Sequence, residues 1–299
     1  MNLTFLFRLT NLLTCILLAV VISQGQKIDE HSFVGTIQLM DKSMITYKIE
    51  FDEMEDGSIQ GKSITDFSGP HRTESKITGK LNRKENTITF NELSNLTTKS
   101  DSPSNDFCYV HLYNAKIKLK EKKSLIQGHF YSRYSNGEKC IEGDIFLMGG
   151  AYFFEKATSV SNKKLIPQET KERLKETISN SKENIRNTVL KEDDNLTIIA
   201  EGDNLMIRVW EDEYLDGDRV SVYVDDTAIL KSYLIKSSMK QLLVPILNDT
   251  TVLKIVADNE GRLPPNSANF IIVNSETEVP IKLQLNEGKE ATIQVLRKK

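Results

Sequence analysis

The chain has 299 residues, 27 % of them charged and 39 % hydrophobic, with 39 Lys and Arg against 42 Asp and Glu for a net charge of −3. That balance offers nucleic acid no bulk positive field, and the composition excludes a disordered or collagen-like chain. The length suits one large domain or two ordinary ones, and three cysteines with four histidines are too few for a zinc-ribbon array or a haem-rich protein.

Residues 1–25 read as a cleavable secretory signal. Arg8 sets positive charge near the start, Leu12 to Ile22 is an apolar run broken only by Thr14, and Ser23-Gln24-Gly25 brings small residues to the cleavage point. The run is shorter than the ~20 apolar residues of a membrane span, and Cys15 lies inside it rather than at its end, unlike a lipoprotein cysteine. The mature chain is therefore expected to be secreted or periplasmic, with no membrane span. Its two cysteines, Cys108 and Cys140, form an even pair in an oxidising compartment, which predicts a disulfide.

Residues 31–157 read as an antiparallel barrel. Phe33, Gly35, Ile37 and Leu39 alternate with other residues, as do Ile45, Tyr47, Ile49 and Phe51, the period of a half-buried strand. Turn signals recur at Asp56-Gly57, Gly69-Pro70 and Asn136-Gly137. An Ile-x-Gly pattern returns at Gly61, Gly79, Gly128 and Gly143. Glycine inside a strand costs stability, so four matched occurrences predict a sharply coiled sheet, and a small closed barrel requires such bends. About eight strands joined by hairpins predict an up-and-down barrel, similar in architecture to lipocalin- or avidin-type barrels. The polar stretch Ser94 to Asp106 predicts a loop over its mouth.

Residues 160–194 predict a helical linker. Pro167 can open a helix, Lys, Arg and Glu dominate, and Leu174, Ile178, Ile185 and Val189 form a narrow apolar stripe.

Residues 196–299 return to alternation at Leu205/Ile207/Val209, Val220/Val222/Val224, Leu242/Val244/Ile246, Leu253/Ile255/Ala257, Ile281/Leu283/Leu285 and Ala291/Ile293/Val295, with Phe270 to Val273 as a seventh run. That spacing predicts an immunoglobulin-like β-sandwich. Val209-Trp210-Glu211-Asp212, Asp216-Gly217-Asp218, and Ala257-Asp258-Asn259-Glu260-Gly261 followed by Pro264-Pro265-Asn266 give this third of the chain a family likeness. It resembles an uncharacterised immunoglobulin-like module of secreted multi-domain proteins from one phylum of Gram-negative bacteria. The resemblance implies an accessory module in an envelope or extracellular setting and brings no activity with it.

Several constellations bear on chemistry. Asp212, Asp216 and Asp218, with Glu213 beside them, concentrate hard oxygen donors around Gly217, as calcium requires. Asp258, Asn259 and Glu260 add to the set if the two loops meet. Ordinary Asp-Gly turn chemistry explains the same residues, so both readings stand, and calcium is the one cofactor the sequence offers. His31, His71, His111 and His129 all fall in the barrel segment; His111 and His129 occupy successive strands and could face each other. No His-Glu-x-x-His or Gly-x-Ser-x-Gly motif occurs, and Gly57 and Gly61 are one residue too close for a phosphate-binding loop. Phe107, Tyr109, Tyr113, Phe130, Tyr131 and Tyr134 gather near the cysteines, where alternate ones would line a barrel mouth. The sequence thus predicts an exported, non-enzymatic binding protein whose barrel recognises a small molecule, glycan or envelope protein, with the sandwich as a docking unit. The competing class is a secreted hydrolase using carboxylates or histidines of the barrel.

Overall fold

Alternation along the first third of the chain becomes the wall of a barrel. The computed structural model describes residues 29–101, 107–120, 123–161, 172, 179, 182–184, 186–212 and 214–298; the segment read as a signal lies outside them. Strands β1 (Asp29–Leu39), β2 (Met44–Glu53), β3 (Ser58–Thr65), β4 (Thr73–Asn82), β5 (Thr87–Thr98), β6 (Tyr109–Lys118), β7 (Leu125–Arg133) and β8 (Lys139–Gly149) each pair antiparallel with the next. The pairing of β8 with β1 closes the ring. Closure leaves no strand edge open among the eight.

Period-2 geometry sends Phe33, Ile37, Tyr47, Ile49, Phe51, Ile59, Ile77, Ile88, Phe90, Leu112, Ile126, Phe130, Ile145 and Leu147 into one buried core inside the ring. The barrel is thus filled along most of its length, as eight-stranded barrels can be. The recurring glycines sit where neighbouring strands come too close for a side chain. A Cβ at Gly61 would lie 1.9 Å from the Glu50 carbonyl oxygen, and one at Gly79 would lie 2.0 Å from that of Thr89.

Helix α1 (Gly150–Ser161) follows, beginning inside the segment assigned to the barrel. Phe153 and Phe154 pack on Val34, Ile64 and Phe67, covering an outer patch of the wall. The apolar stripe residues Leu174, Ile178 and Ile185 lie outside the described residues, as does most of 160–194. Among the described residues no helix is long and apolar enough to cross a membrane.

The rest of the chain supplies β9 (Thr188–Leu190), β10 (Asn195–Ala200), β11 (Asn204–Trp210), β12 (Arg219–Val224), β13 (Thr227–Leu234), β14 (Lys240–Pro245), β15 (Thr250–Ala257), β16 (Asn266–Val273), β17 (Glu278–Leu285) and β18 (Glu290–Arg297). Two layers, β13-β12-β15-β18-β10 and β14-β11-β16-β17-β9, enclose a single core that includes Leu196, Ile198, Leu205, Ile207, Val220, Ile255, Phe270 and Ile293. All seven alternating runs fall on strands, with Ile246 just past the end of β14. Two pairings, β10 with β18 and β9 with β17, are parallel, which departs from the wholly antiparallel sheets expected for an immunoglobulin-like sandwich. The strand β9 also begins this body inside the segment read as linker.

The barrel and the second body share a sheet. Thr97 and Thr98 of β5 pair antiparallel with Ile198 and Thr197 of β10. Two register shifts, after Ile77↔Glu92 and after Ser75↔Asn95, leave Leu93 and Leu96 as extra residues on β5. Bulges bend and twist a strand, and here they accompany β5 as it passes from the ring to the second body. The expected mouth loop is therefore partly strand: Ser94 to Thr98 belong to β5, while residues 102–106 lie outside the described set. Lys99 adds a side-chain clamp, with Nζ 2.6 Å from both Asp194 Oδ2 and the Val189 carbonyl oxygen.

Candidate functional site

One end of the barrel is open. A cavity of about 210 Å³ lies there, lined by residues near the ends of β1, β3, β5 and β7 and the starts of β2, β4, β6 and β8. Its walls combine Phe107, Phe130 and Ile141 with Thr73, Ser75, Asn95 and Ser132. Cys108 and Cys140 meet at this rim, their Cα atoms 5.9 Å apart, a separation suited to a disulfide. A larger cavity of about 540 Å³ occupies the seam with the second body, between Tyr109 and Thr98 on one side and Thr197, Ile199, Leu296 and Lys298 on the other. Asn95, Ser100 and Phe107 line both cavities.

Glu92 forms part of the mouth wall. Ile88, Phe90 and Glu92 continue one inward face of β5, so the carboxylate is carried into the ring and is fully buried. Tyr47 and Ser63 hydroxyls donate to its Oε1 at 2.7 and 2.5 Å, and the Val110 N–H donates to Oε2 at 2.7 Å. Burial raises its pKa, against the lowering effect of these three hydrogen bonds. Burial and the adjacent Glu92 charge hold the Tyr47 phenol well above its ordinary value. The arrangement ties β2, β3 and β6 to β5 through one carboxylate. No histidine is among its hydrogen-bond partners; His71 lines the same cavity.

The predicted aromatics divide between sides of the wall. Phe107 and Phe130 face the mouth and Tyr109 the seam, whereas Tyr113 is exposed and Tyr131 stacks on His111. The histidines expected to face each other do not. Register sets His111 opposite Tyr131, and His129 opposite Asp144, to which its Nδ1 lies 3.2 Å. Burial and the Arg133 charge lower the pKa of His111.

A second constellation occupies one end of the C-terminal body, and its membership differs from the sequence expectation. Among the described residues, Glu211, Asp216 and Asp218 bring carboxylate oxygens within 4.8 Å of one another. Asp212 is not in the group; its Oδ1 accepts from Asn269 Nδ2 at 2.7 Å. The parity of β11 explains the exchange. Leu205, Ile207 and Val209 face the core, so Glu211 continues inward and Asp212 falls on the outer face. Glu213 lies outside the described residues. The two loops do meet: Asn259 donates from Nδ2 to the Gly217 carbonyl oxygen at 2.9 Å and accepts the Arg219 N–H at 2.7 Å. Asp258 and Glu260 serve other bonds, accepting from Ser221 Oγ and the Glu287 N–H. Burial, with further contributions from Asp216 and Glu260, pushes the Asp218 pKa up to about 6 despite the lowering hydrogen bond from Ser267.

Comparison with protein-family models, with curated proteins and with solved structures finds no match to this chain.

Proposed function

We propose that the chain is an exported, non-enzymatic binding protein that recognises a glycan at the barrel mouth, with the immunoglobulin-like C-terminal body as its docking unit and a helical linker between them. The observation that carries this reading is the shared lining of the two cavities by Asn95, Ser100 and Phe107. Mouth and seam thereby adjoin beside the cysteine pair. Small-molecule sites combine apolar walls with a few placed polar groups. Here Phe107, Phe130 and Tyr109 offer aromatic faces, while Ser75, Asn95 and Thr98 offer hydroxyl and amide groups. The filled interior confines recognition to this end. Export rests on the signal-like first 25 residues and on a cysteine pair of the kind oxidising compartments retain.

The test is saturation-transfer NMR of the full mature chain against a panel of soluble oligosaccharides, followed by titration of the best binder. Phe107→Ala is expected to weaken that binding by at least about tenfold. Absence of transfer from every saccharide, or binding indifferent to Phe107→Ala, would overturn the assignment.

A further inference from the structure

We propose that Glu211, Asp216 and Asp218 hold a calcium ion that locks the β11–β12 connection onto the β15–β16 connection. This site lies in the C-terminal body and does not depend on the barrel-mouth reading.

Each carboxylate is anchored through one oxygen. Asp218 Oδ2 accepts the Ser267 N–H at 2.7 Å. Asp216 Oδ2 accepts the Arg262 and Leu263 N–H groups at 3.0 and 2.7 Å. Glu211 Oε1 accepts from Ser267 Oγ at 3.2 Å. The second oxygens of Asp216 and Asp218 are treated differently by the fold. Asp216 Oδ1 and Asp218 Oδ1 are both buried and accept no hydrogen bond, although Asp218 as a whole is only 1 % exposed.

A buried acceptor without a donor is costly, and an uncompensated buried charge costs more. Two such oxygens in a group of three carboxylates, two of them buried and Asp216 half-buried, call for a positive charge among them. The donor set is all oxygen, which selects a hard cation rather than zinc or copper. Calcium accepts irregular geometry from loop residues, whereas magnesium demands a near-octahedral shell and sheds water reluctantly. The loops are built for close approach as well: a Cβ at Gly261, whose φ is +59°, would lie 2.5 Å from Asp216 Oδ1. Binding would fix Asp216 between the two connections and complete the bonds that Asn259 begins.

The experiment uses the full mature chain stripped with EDTA and titrated with calcium chloride, read by calorimetry and by melting temperature. One calcium per chain is expected, with an affinity in the range of extracellular modules, about 0.1–1 mM. At about a hundredfold excess over Kd the melting temperature of the transition containing the C-terminal body should rise by about 5–10 °C. Asp218→Asn and Asp216→Asn should each abolish that rise, while Asp212→Asn should retain it. Either of the first two suffices if the other does not fold.

No heat and no thermal shift up to about 10 mM calcium, tenfold above the weak end of that range, would overturn the proposal. So would an equal response to magnesium. A calcium-insensitive wild type that melts below Asp218→Asn in EDTA would show that the cluster's charge stands uncompensated by any metal, and would overturn it too.

Discussion

Thr97 of the barrel stands opposite Ile198 of the C-terminal body in antiparallel register, so one sheet runs from the closed ring into the second core. This contact is short, and Lys99 reinforces it by bonding both Asp194 and the Val189 carbonyl oxygen. Hydrogen bonds to charged groups contribute about 1.5–3 kcal/mol each when partly buried. Lys99→Met removes both bonds and should therefore loosen the junction by about 3 kcal/mol or more. Chemical denaturation followed by tyrosine signals of the barrel and by Trp210 of the second body should then resolve into two separated transitions. Coincident transitions in the variant would show that the junction does not couple the bodies.

The buried Glu92 supplies a pH signature. Its folded pKa is raised, so the folded state binds a proton more readily than the unfolded chain. Stability from this group is then greatest below the unfolded glutamate value of about 4.3 and is lost as pH rises through the raised folded value. Tyr47→Phe removes one donor to the carboxylate. It should cost about 1.5–3 kcal/mol at neutral pH, and less once Glu92 is protonated. Urea midpoints for both proteins between neutral pH and the glutamate range would check this; a cost that grows on acidification would refute it.

The cysteine pair closes a loop across a sequence separation of 32 residues at the open end. In the chain-entropy model such a link contributes about 3–4 kcal/mol. Replacing Cys108 and Cys140 together by serine should lower barrel stability by about that amount. Because Cys108 lines the mouth cavity, binding there should weaken as well. Equal unfolding midpoints for oxidised wild type and the double variant would refute the first expectation.

Gly79 tests why the Ile-x-Gly pattern recurs. It pairs with Ile59 on one side and Phe90 on the other, and an added Cβ would strike the Thr89 carbonyl oxygen at 2.0 Å. Strands must part to admit it, so Gly79→Ala should cost on the order of 3 kcal/mol. Gly137→Ala, at a turn where a Cβ meets nothing within 4 Å, should cost only about 1–2 kcal/mol, from its left-handed φ of +86°. Thermal melts of both variants decide the ranking.

Much of the architecture was legible because a strand's two faces are written in its alternation. Ile45, Tyr47, Ile49 and Phe51 all point into the barrel core or pack against it, and the runs at 205–209, 253–257 and 291–295 all point into the second core. The edge strand β13 carries no such signal, because most of its residues are exposed and leave no apolar period to read. The same alternation holds two site residues that an apolar period alone does not mark. Glu92 follows Ile88 and Phe90, and Glu211 follows Ile207 and Val209, each a charged residue at an inward position.

By itself, then, the sequence determined which side chains face inward and pointed to Cys108 and Cys140 as a pair. Only the tertiary structure decided that β5 leaves the ring to join β10, that Glu211 replaces Asp212 beside Asp216 and Asp218, and that three distant donors converge on Glu92. The reason is physical: side-chain parity is a local property of extended backbone, whereas the partner across a ladder is chosen by closure, bulges and register between segments far apart in the chain.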